Sequence, residues 1–385
     1  MPGTCKIPLF GIARQYQNLK KELLEVSDQV YSSGQVLDGD QVDQFERNVR
    51  SRTNRKYAIA VNSCTQALIF SLKYYQSRRY TPARAARVLI PSVSFVATIN
   101  AVIEAGCIPV FSDIHHNGLM DLTGVDLNQV DIVMYVNLCG DVIDYDRLTV
   151  MNKFFNRNIP VIEDAAQSFG ALYKGIPSGK LGDISCLSFD PTKNLNNYGS
   201  GGMILTDDQD IAYAMRDYRD NGKADAHNIS GTNSKMSEVD CAQMLVKLQY
   251  FDKWQERRRE IAAYYDRYII GQQSAVNSDV VHARSKYIVN CCDNPQTVDD
   301  HPQSVMDVMD RLTGLEIPCR PPYSSPLLGL EVSRIFPASY VEIPSSYHFC
   351  QTTFMIPIYP ELTDSEVEYI VKGVNTSVKA VNDLR

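Results

Sequence analysis

The segment Ile159–Thr206, IPVIEDAAQSFGALYKGIPSGKLGDISCLSFDPTKNLNNYGSGGMILT, carries the pattern that decides the fold. Its opening, Ile159-Pro-Val-Ile-Glu163-Asp164, is a short apolar run that stops on two carboxylates. Such a run reads as a parallel strand buried on both faces and ending at a polar site. Ser185-Cys-Leu-Ser188-Phe-Asp190 reads as a second strand of this kind, followed at once by Pro191-Thr-Lys193-Asn194. Gly199-Ser-Gly-Gly202 then turns the chain into a third apolar run, Met203-Ile-Leu205. Ligands of open α/β sheets sit just past the carboxyl ends of the strands. Asp164, Ser188 and Lys193 should therefore gather there: an acid, a hydroxyl and an amine.

Upstream, Tyr57–Val61, Arg87–Pro91, Ile108–Asp113 and Asp131–Val136 read as further strands. Helical spacing predicts helices over Arg14–Gln35, Gln41–Arg50 and Phe95–Ala105, with part of another over Val150–Arg157. A helix also opens at Asn62-Ser63-Cys64-Thr65, with Leu68, Leu72 and Tyr75 on one face. This alternation indicates an α/β fold, a mostly parallel sheet flanked by helices on both faces. Downstream, Asp207–Tyr218 and Glu238–Tyr268 read as helices, and the charge run Trp254–Glu260 as a solvated helix face. From about Tyr264 the texture changes to a strand at Lys286–Cys291, a helix at Ser304–Gly314 and a Pro-rich loop at Ile317–Pro326. A last helix opens on Thr363-Asp-Ser-Glu366, which fits a capping box. The expected division is a large α/β domain over residues 1–263 and a smaller α+β domain over 264–385.

The composition, 44% hydrophobic and 22% charged over 385 residues, is that of an ordinary globular protein. A net charge of −7 argues against nucleic acid as the main partner. Ten cysteines lie scattered without a C-x-x-C, several of them in apolar runs (Cys107, Cys186, Cys241), which reads as a reducing cytoplasm. The pair Cys291-Cys292 reads as packing. The start, MPGTCKIPLFG, lacks the pattern of a secretory signal, and the longest apolar region, Val88–Phe111, is too interrupted to span a membrane. The six histidines show no metal-ligand spacing, and His115-His116 are neighbours on a turn. Dinucleotide, P-loop, zincin and hydrolase-elbow motifs are absent.

Lys193 directly follows an apolar strand and precedes a Gly-rich turn, a setting that suits an amine held inside a site. A lysine partly shielded from water loses its proton more easily and can form a Schiff base with a carbonyl. A carboxylate at the end of a neighbouring strand, Asp164, suits a protonated pyridine nitrogen. The strand–turn–helix junction at Asn62–Thr65 is either a simple N-cap or a phosphate site built from helix N–H groups and two hydroxyls. Aldehyde, pyridine nitrogen and phosphate together describe pyridoxal 5'-phosphate.

Glu163-Asp164-Ala-Ala-Gln167-Ser-Phe-Gly170, Gly182-Asp183, Phe189-Asp-Pro-Thr-Lys193-Asn194-Leu195 and Gly199-Ser-Gly-Gly202 resemble the DegT/DnrJ/EryC1/StrS family of pyridoxal-phosphate sugar aminotransferases. Val61–Leu68, Pro91–Thr98 with Ala105-Gly106 and Pro109–Phe111, Asn233–Glu238 and Ile356–Leu362 are similar to further motifs of that family, so the resemblance covers nearly the whole chain. It implies the fold of type I pyridoxal-phosphate enzymes, with a seven-stranded sheet. It also implies that Lys193 carries the cofactor and shuttles the proton, while Asp164 pairs with the pyridine nitrogen. Gln167 lies near the ring hydroxyl and Phe95 stacks on the ring. Ser63, Cys64, Thr65 and Ser188 surround the phosphate, and Asn233 reaches the phosphate in a neighbouring subunit of a homodimer. The implied reaction moves an amino group from L-glutamate to a keto-sugar, a nucleotide-linked 3- or 4-keto-6-deoxy sugar, in amino-sugar biosynthesis. A transaminase of a free cyclitol or small ketone, a dehydratase and a non-catalytic regulator are the alternatives; the retained Lys193 argues against the dehydratase branch, where histidine replaces it. Cys64 stands where the family has Gly, Asp190 for an aromatic, Lys235 for Arg and Ser285 for His, and Pro321-Pro-Tyr-Ser lacks a usual His.

Overall fold

The computed structural model describes residues 7–79, 84–154, 158–270, 278–290, 302–335 and 342–383. The Cys291-Cys292 pair and the end of the Val150–Arg157 helix lie outside them. In chain order the elements are α1 (Ile12–Ser33), α2 (Asp40–Thr53), β1 (Tyr57–Val61), α3 (Cys64–Arg79), β2 (Arg87–Pro91), α4 (Ala97–Glu104) and β3 (Ile108–Ser112). Then follow β4 (Ile132–Val136), α5 (Tyr145–Phe154), β5 (Val161–Asp164), β6 (Leu172–Tyr173), β7 (Ile176–Pro177), β8 (Ile184–Ser188) and β9 (Gly202–Thr206). The remainder is α6 (Gln209–Arg219), α7 (Glu238–Tyr268), β10 (Val280–Val281), β11 (Tyr287–Asn290), α8 (Pro302–Gly314), α9 (Pro344–Thr352), β12 (Thr353–Ile356) and α10 (Asp364–Asn382).

Seven strands form the central sheet in the order β1-β9-β8-β5-β4-β2-β3. β8, β5, β4, β2 and β3 run parallel, whereas β9 is antiparallel to both β1 and β8. The reversal follows from the connection. Residues 189–201 contain no helix to carry the chain back to the start of the sheet, so the next strand returns antiparallel. Ser188 consequently pairs with Gly202 and Ser185 with Leu205.

Alternation along the strands feeds two cores. Ile184 and Cys186 of β8 pack with α3, α4 and α6 residues such as Leu68, Ile99 and Met215. Leu187, together with Phe189 just past the strand, packs with Phe45 of α2 and Met244 and Leu248 of α7. The C-terminal end of α7 enters a third core, where Ile261, Ala262 and Tyr265 meet β11, α8, β12 and α10. The Thr363/Glu366 capping box opens α10 as expected.

The charge run on α7 is solvated on one side of the helix, as expected, but not throughout. Gln255 and Arg258 are buried, and Arg258 Nη1 donates to Ile358 O at 2.7 Å. Glu256, Arg259 and Glu260 lie exposed in line with Asp252 and Lys253, so one side of the helix is solvated while Gln255 and Arg258 of the same run turn inward. The short ladder β10-β6-β7 went unpredicted, since two-residue strands carry no readable period.

Candidate active site

Glu163 and Asp164 end β5 side by side, and strand alternation sends them to opposite faces. Glu163 is wholly buried and accepts from Asn137 Nδ2, Ser178 Oγ, Ser185 Oγ and the Gly179 and Leu181 N–H groups, at 2.6–3.0 Å. That carboxylate is fully occupied in holding the 178–181 turn. Asp164, 4% exposed, has lighter company. Ala166 N donates to its Oδ1 at 3.1 Å, Thr98 Oγ1 to its Oδ2 at 3.4 Å, and Cys64 Sγ lies 4.0 Å from Oδ1. Burial pushes its carboxyl up to about 6, against the pull of the Ala166 N–H and the nearby Lys193 charge.

Lys193 sits in the turn beyond β8, its N–H donating to Asp190 O at 3.0 Å. The loop that follows is fastened from one face of α7, at positions seven and eight apart. Asp240 Oδ1 accepts from Asn197 Nδ2 at 2.7 Å, Lys247 Nζ donates to Asn196 O at 2.6 Å, and Gln255 Oε1 accepts from Asn194 Nδ2 at 2.9 Å. Lys247 is wholly buried, with its ammonium 3.5 Å from the centre of the Tyr198 ring, and burial pushes it down to about 7.

At the β1–α3 junction Ser63 Oγ accepts from Gln66 N at 3.2 Å, an ordinary N-cap, and Asn62 N donates to Ser234 O at 2.8 Å. The turn lies so close to β9 that a Cβ on Gly202 would come within 2.4 Å of Ser63 C and 2.6 Å of Cys64 N. Ser188, half-buried, accepts from Asp190 N at 3.3 Å. Gln167 bridges Cys139 N, to which its Oε1 accepts at 3.1 Å, and Tyr323 OH, to which its Nε2 donates at 3.0 Å.

The structure thus brings Cys64, Asp164 and Lys193 into mutual electrostatic reach, with Thr98 behind the acid. Phe95 is 60% exposed and is no core phenylalanine. Asn233 is exposed on a bridge to Asp220, one residue from the Ser234 that ties down Asn62, so it flanks the turn and does not line the Asp164 cluster. Thr98, Lys247, Lys286 and Tyr323 were not read as site residues. Each acts through a partner distant in sequence, and no local pattern marks them. Among the described residues no cluster of potential metal ligands occurs.

The residues present fit pyridoxal phosphate. A buried carboxyl is pushed up to about 6 with the charge of Lys193 within its field, and a helix start capped by a hydroxyl is held close against the glycine of a neighbouring strand.

The sequence profile described as the DegT/DnrJ/EryC1/StrS aminotransferase family matches residues 17–375. The chain is 29% identical over 390 residues to a pleiotropic regulatory protein of Geobacillus stearothermophilus, covering 96% of this chain and 97% of the relative. It is also 29% identical over 381 residues to a dTDP-3-amino-3,6-dideoxy-α-D-galactopyranose transaminase of Aneurinibacillus thermoaerophilus, covering 96% and 99%. A crystal structure of a DegT/DnrJ/EryC1/StrS aminotransferase from Brucella abortus superposes with a TM-score of 0.85 at 22% identity, over 97% of this chain and 99% of that one. With the profile spanning nearly all of the chain, the conclusion is direct: the chain belongs to the DegT/DnrJ/EryC1/StrS aminotransferase family.

Proposed function

We propose that this aminotransferase uses pyridoxal phosphate to move an amino group from L-glutamate to a nucleotide-linked 3- or 4-keto-6-deoxy sugar, in the building of amino sugars. The observation that carries the reading is the buried Asp164 beside Cys64 and within the field of Lys193, at the carboxyl ends of adjacent strands. A relative matched over 99% of its length, whose name is that of a dTDP-amino-sugar transaminase, supports the sugar.

When bound, pyridoxal phosphate supplies an aldehyde that takes up the amino group and a ring that draws electrons from the substrate carbon. Asp164 would keep the ring nitrogen protonated, which its dry, lightly hydrogen-bonded carboxyl suits. Lys193 Nζ would hold the aldehyde carbon at rest and, once displaced by the incoming amine, carry the proton on and off the substrate carbon. Ser63, Cys64, Thr65 and Ser188 would hold the phosphate, with Gly202 letting the β1–α3 turn lie close against β9. Phe95 would cover the ring, which its exposure favours, and Gln167 would stand by the ring hydroxyl. Exposed Asn233 would serve the partner subunit's site in a homodimer. The division near residue 263 is carried over as part of this proposal, with α7 crossing between the two domains, as is a cytoplasmic setting for scattered free thiols.

The regulatory relative raises a second reading, a sensor that binds the cofactor without turnover. The intact pair of Asp164 and Lys193 speaks for catalysis. Purified protein given pyridoxal phosphate should show a visible absorbance band that Lys193→Ala abolishes. Glutamate with a panel of nucleotide-linked 3-keto and 4-keto sugars, read by mass spectrometry, should give one aminated product. A protein without the band, or a turning-over Lys193→Ala variant, would sink the proposal.

A further inference from the structure

The small sheet β11–β12 is paired so that Ile288 stands opposite Met355, and Arg320 bridges Met355 from the other side. Residues opposite one another share a face of a sheet, as do alternate residues of a strand. Lys286, Ile288, Met355 and Arg320 therefore share one face. Ile288 packs against a cluster that includes Val93, Leu138 and Cys139 of the large domain, so this face is turned toward it. The backbone fixes the approach: Ser285 N and Lys286 N both donate to Cys139 O, at 3.1 and 3.4 Å. Cys139 N in turn donates to Gln167, and Gln167 donates to Tyr323. Lys286 Nζ lies 5.6 Å from the centre of that same Tyr323 ring. The lysine thus reaches the Gln167 side of the Asp164–Lys193 site.

Nothing neutralises it there. Lys286 is half-buried, and among the described residues no carboxylate forms an ion pair with Lys286, Arg320 or Lys193. A cation withdrawn from water without a partner is costly, and such groups are kept where a ligand completes them. Burial pushes the Lys286 ammonium down to about 8; Cys139 and Asp190 draw it back up, while Lys193 and Arg320 add to the depression. Arg320 itself lies exposed at the rim, 5.7 Å from the centre of the Phe10 ring.

We infer that Lys286, backed by Arg320 at the rim, binds a substrate carboxylate. This rests on the aminotransferase reading of the site. The carboxylate comes either from the amino donor or from an acidic sugar ring on the acceptor, and the two are separable.

The test uses the cofactor-loaded enzyme and Lys286→Met, with Lys286→Gln in reserve if the first variant fails to hold cofactor. L-glutamate is titrated against the loss of the aldehyde absorbance in a single half-reaction. UDP-glucuronate and UDP-glucose are compared as binding probes that differ by one carboxylate. A charge-assisted hydrogen bond of the usual strength predicts a loss of about tenfold or more. A loss for glutamate assigns the donor; a loss for UDP-glucuronate but not UDP-glucose assigns the acceptor. Lys286→Arg should recover most of either. Glutamate and both sugar nucleotides unchanged to within about twofold, in a variant that keeps its colour, would overturn the inference alone. Equal losses for the two sugar nucleotides would also overturn it, pointing to the diphosphate. A wild-type protein without cofactor absorbance would overturn both this inference and the reading beneath it.

Discussion

The thiol of Cys64, the first residue of α3, stands 4.0 Å from Oδ1 of Asp164. Burial first, and then the charge of Asp164, hold that thiol well above its ordinary range, so it stays protonated. It is a weak donor aimed at a carboxylate with few others. Cys64→Ala should raise Asp164 further and weaken pyridoxal phosphate binding by about two- to fivefold, as expected for loss of one weak contact. Cys64→Ser should hold the cofactor at least as well as the wild type. Absorbance titrations of the cofactor at fixed pH check both; tighter binding by the alanine variant would contradict the contact.

Gly202 tests the other half of the turn. Its missing side chain leaves 2.4 Å between a notional Cβ and Ser63 C, which is backbone and cannot swing aside. Gly202→Ala should therefore cost about 1–3 kcal/mol of stability and cut cofactor affinity as the β1–α3 junction is forced off β9. Gly199 is the control, since a Cβ there meets nothing nearer than Asn197 Nδ2 at 3.6 Å. Urea unfolding and cofactor titration of both variants decide. Equal behaviour would show that the close approach carries no functional weight.

Both predictions rest on residues that the sequence exposed, and the reason is physical. Buried strands are unbroken apolar runs, so Tyr57–Val61 and Arg87–Pro91 emerge with their boundaries intact. A site at strand ends then falls on whatever polar residue stops each run, which is how Asp164 and Lys193 could be read. The direction of β9 was not legible, because an apolar run has no arrow. Lys247 looked like any lysine of a long helix, and Lys286 like any residue opening a strand. Their roles depend on Asn196 and Tyr198 in one case and on Cys139 and Tyr323 in the other, partners brought near only by the tertiary fold.

Asp164 should leave a pH signature on the cofactor-free protein. Its folded carboxyl is raised from the ordinary 3.8 to about 6, so the folded state holds a proton that the unfolded chain releases. The resulting stabilisation is complete below about pH 4 and is lost as pH rises through 6, a swing of about 3 kcal/mol. Asp164→Asn has no such term. Relative to that variant, the wild type should lose stability across this window, and the asparagine protein should be the more stable cofactor-free form at pH 7. Loaded with cofactor the order of usefulness reverses, since asparagine cannot keep the ring nitrogen protonated, and turnover should fall by orders of magnitude. Parallel urea curves at every pH would remove the buried carboxyl from the account.

Lys247 gives the opposite slope, and a link to Lys193. Its ammonium is lowered from 10.5 to about 7 by burial, partly offset by the charge of Glu361. Below pH 7 both folded and unfolded chains carry the proton, and the folded one bears the cost of a dry charge. Between about 7 and 10 only the unfolded chain keeps it, so stability contributed at this position rises with pH, by something on the order of 4 kcal/mol. Lys247→Met lacks the titration, and the stability difference between wild type and variant should climb through that window. The variant also frees Asn196 O and the Tyr198 ring, two of the contacts that steady the chain just beyond Lys193. Its kcat should fall several-fold while the glutamate concentration for half-saturation changes little, because the loosened group is the proton carrier and not the substrate pocket. A flat stability difference with unchanged kcat would mean that Asp240 and Gln255 hold the loop unaided.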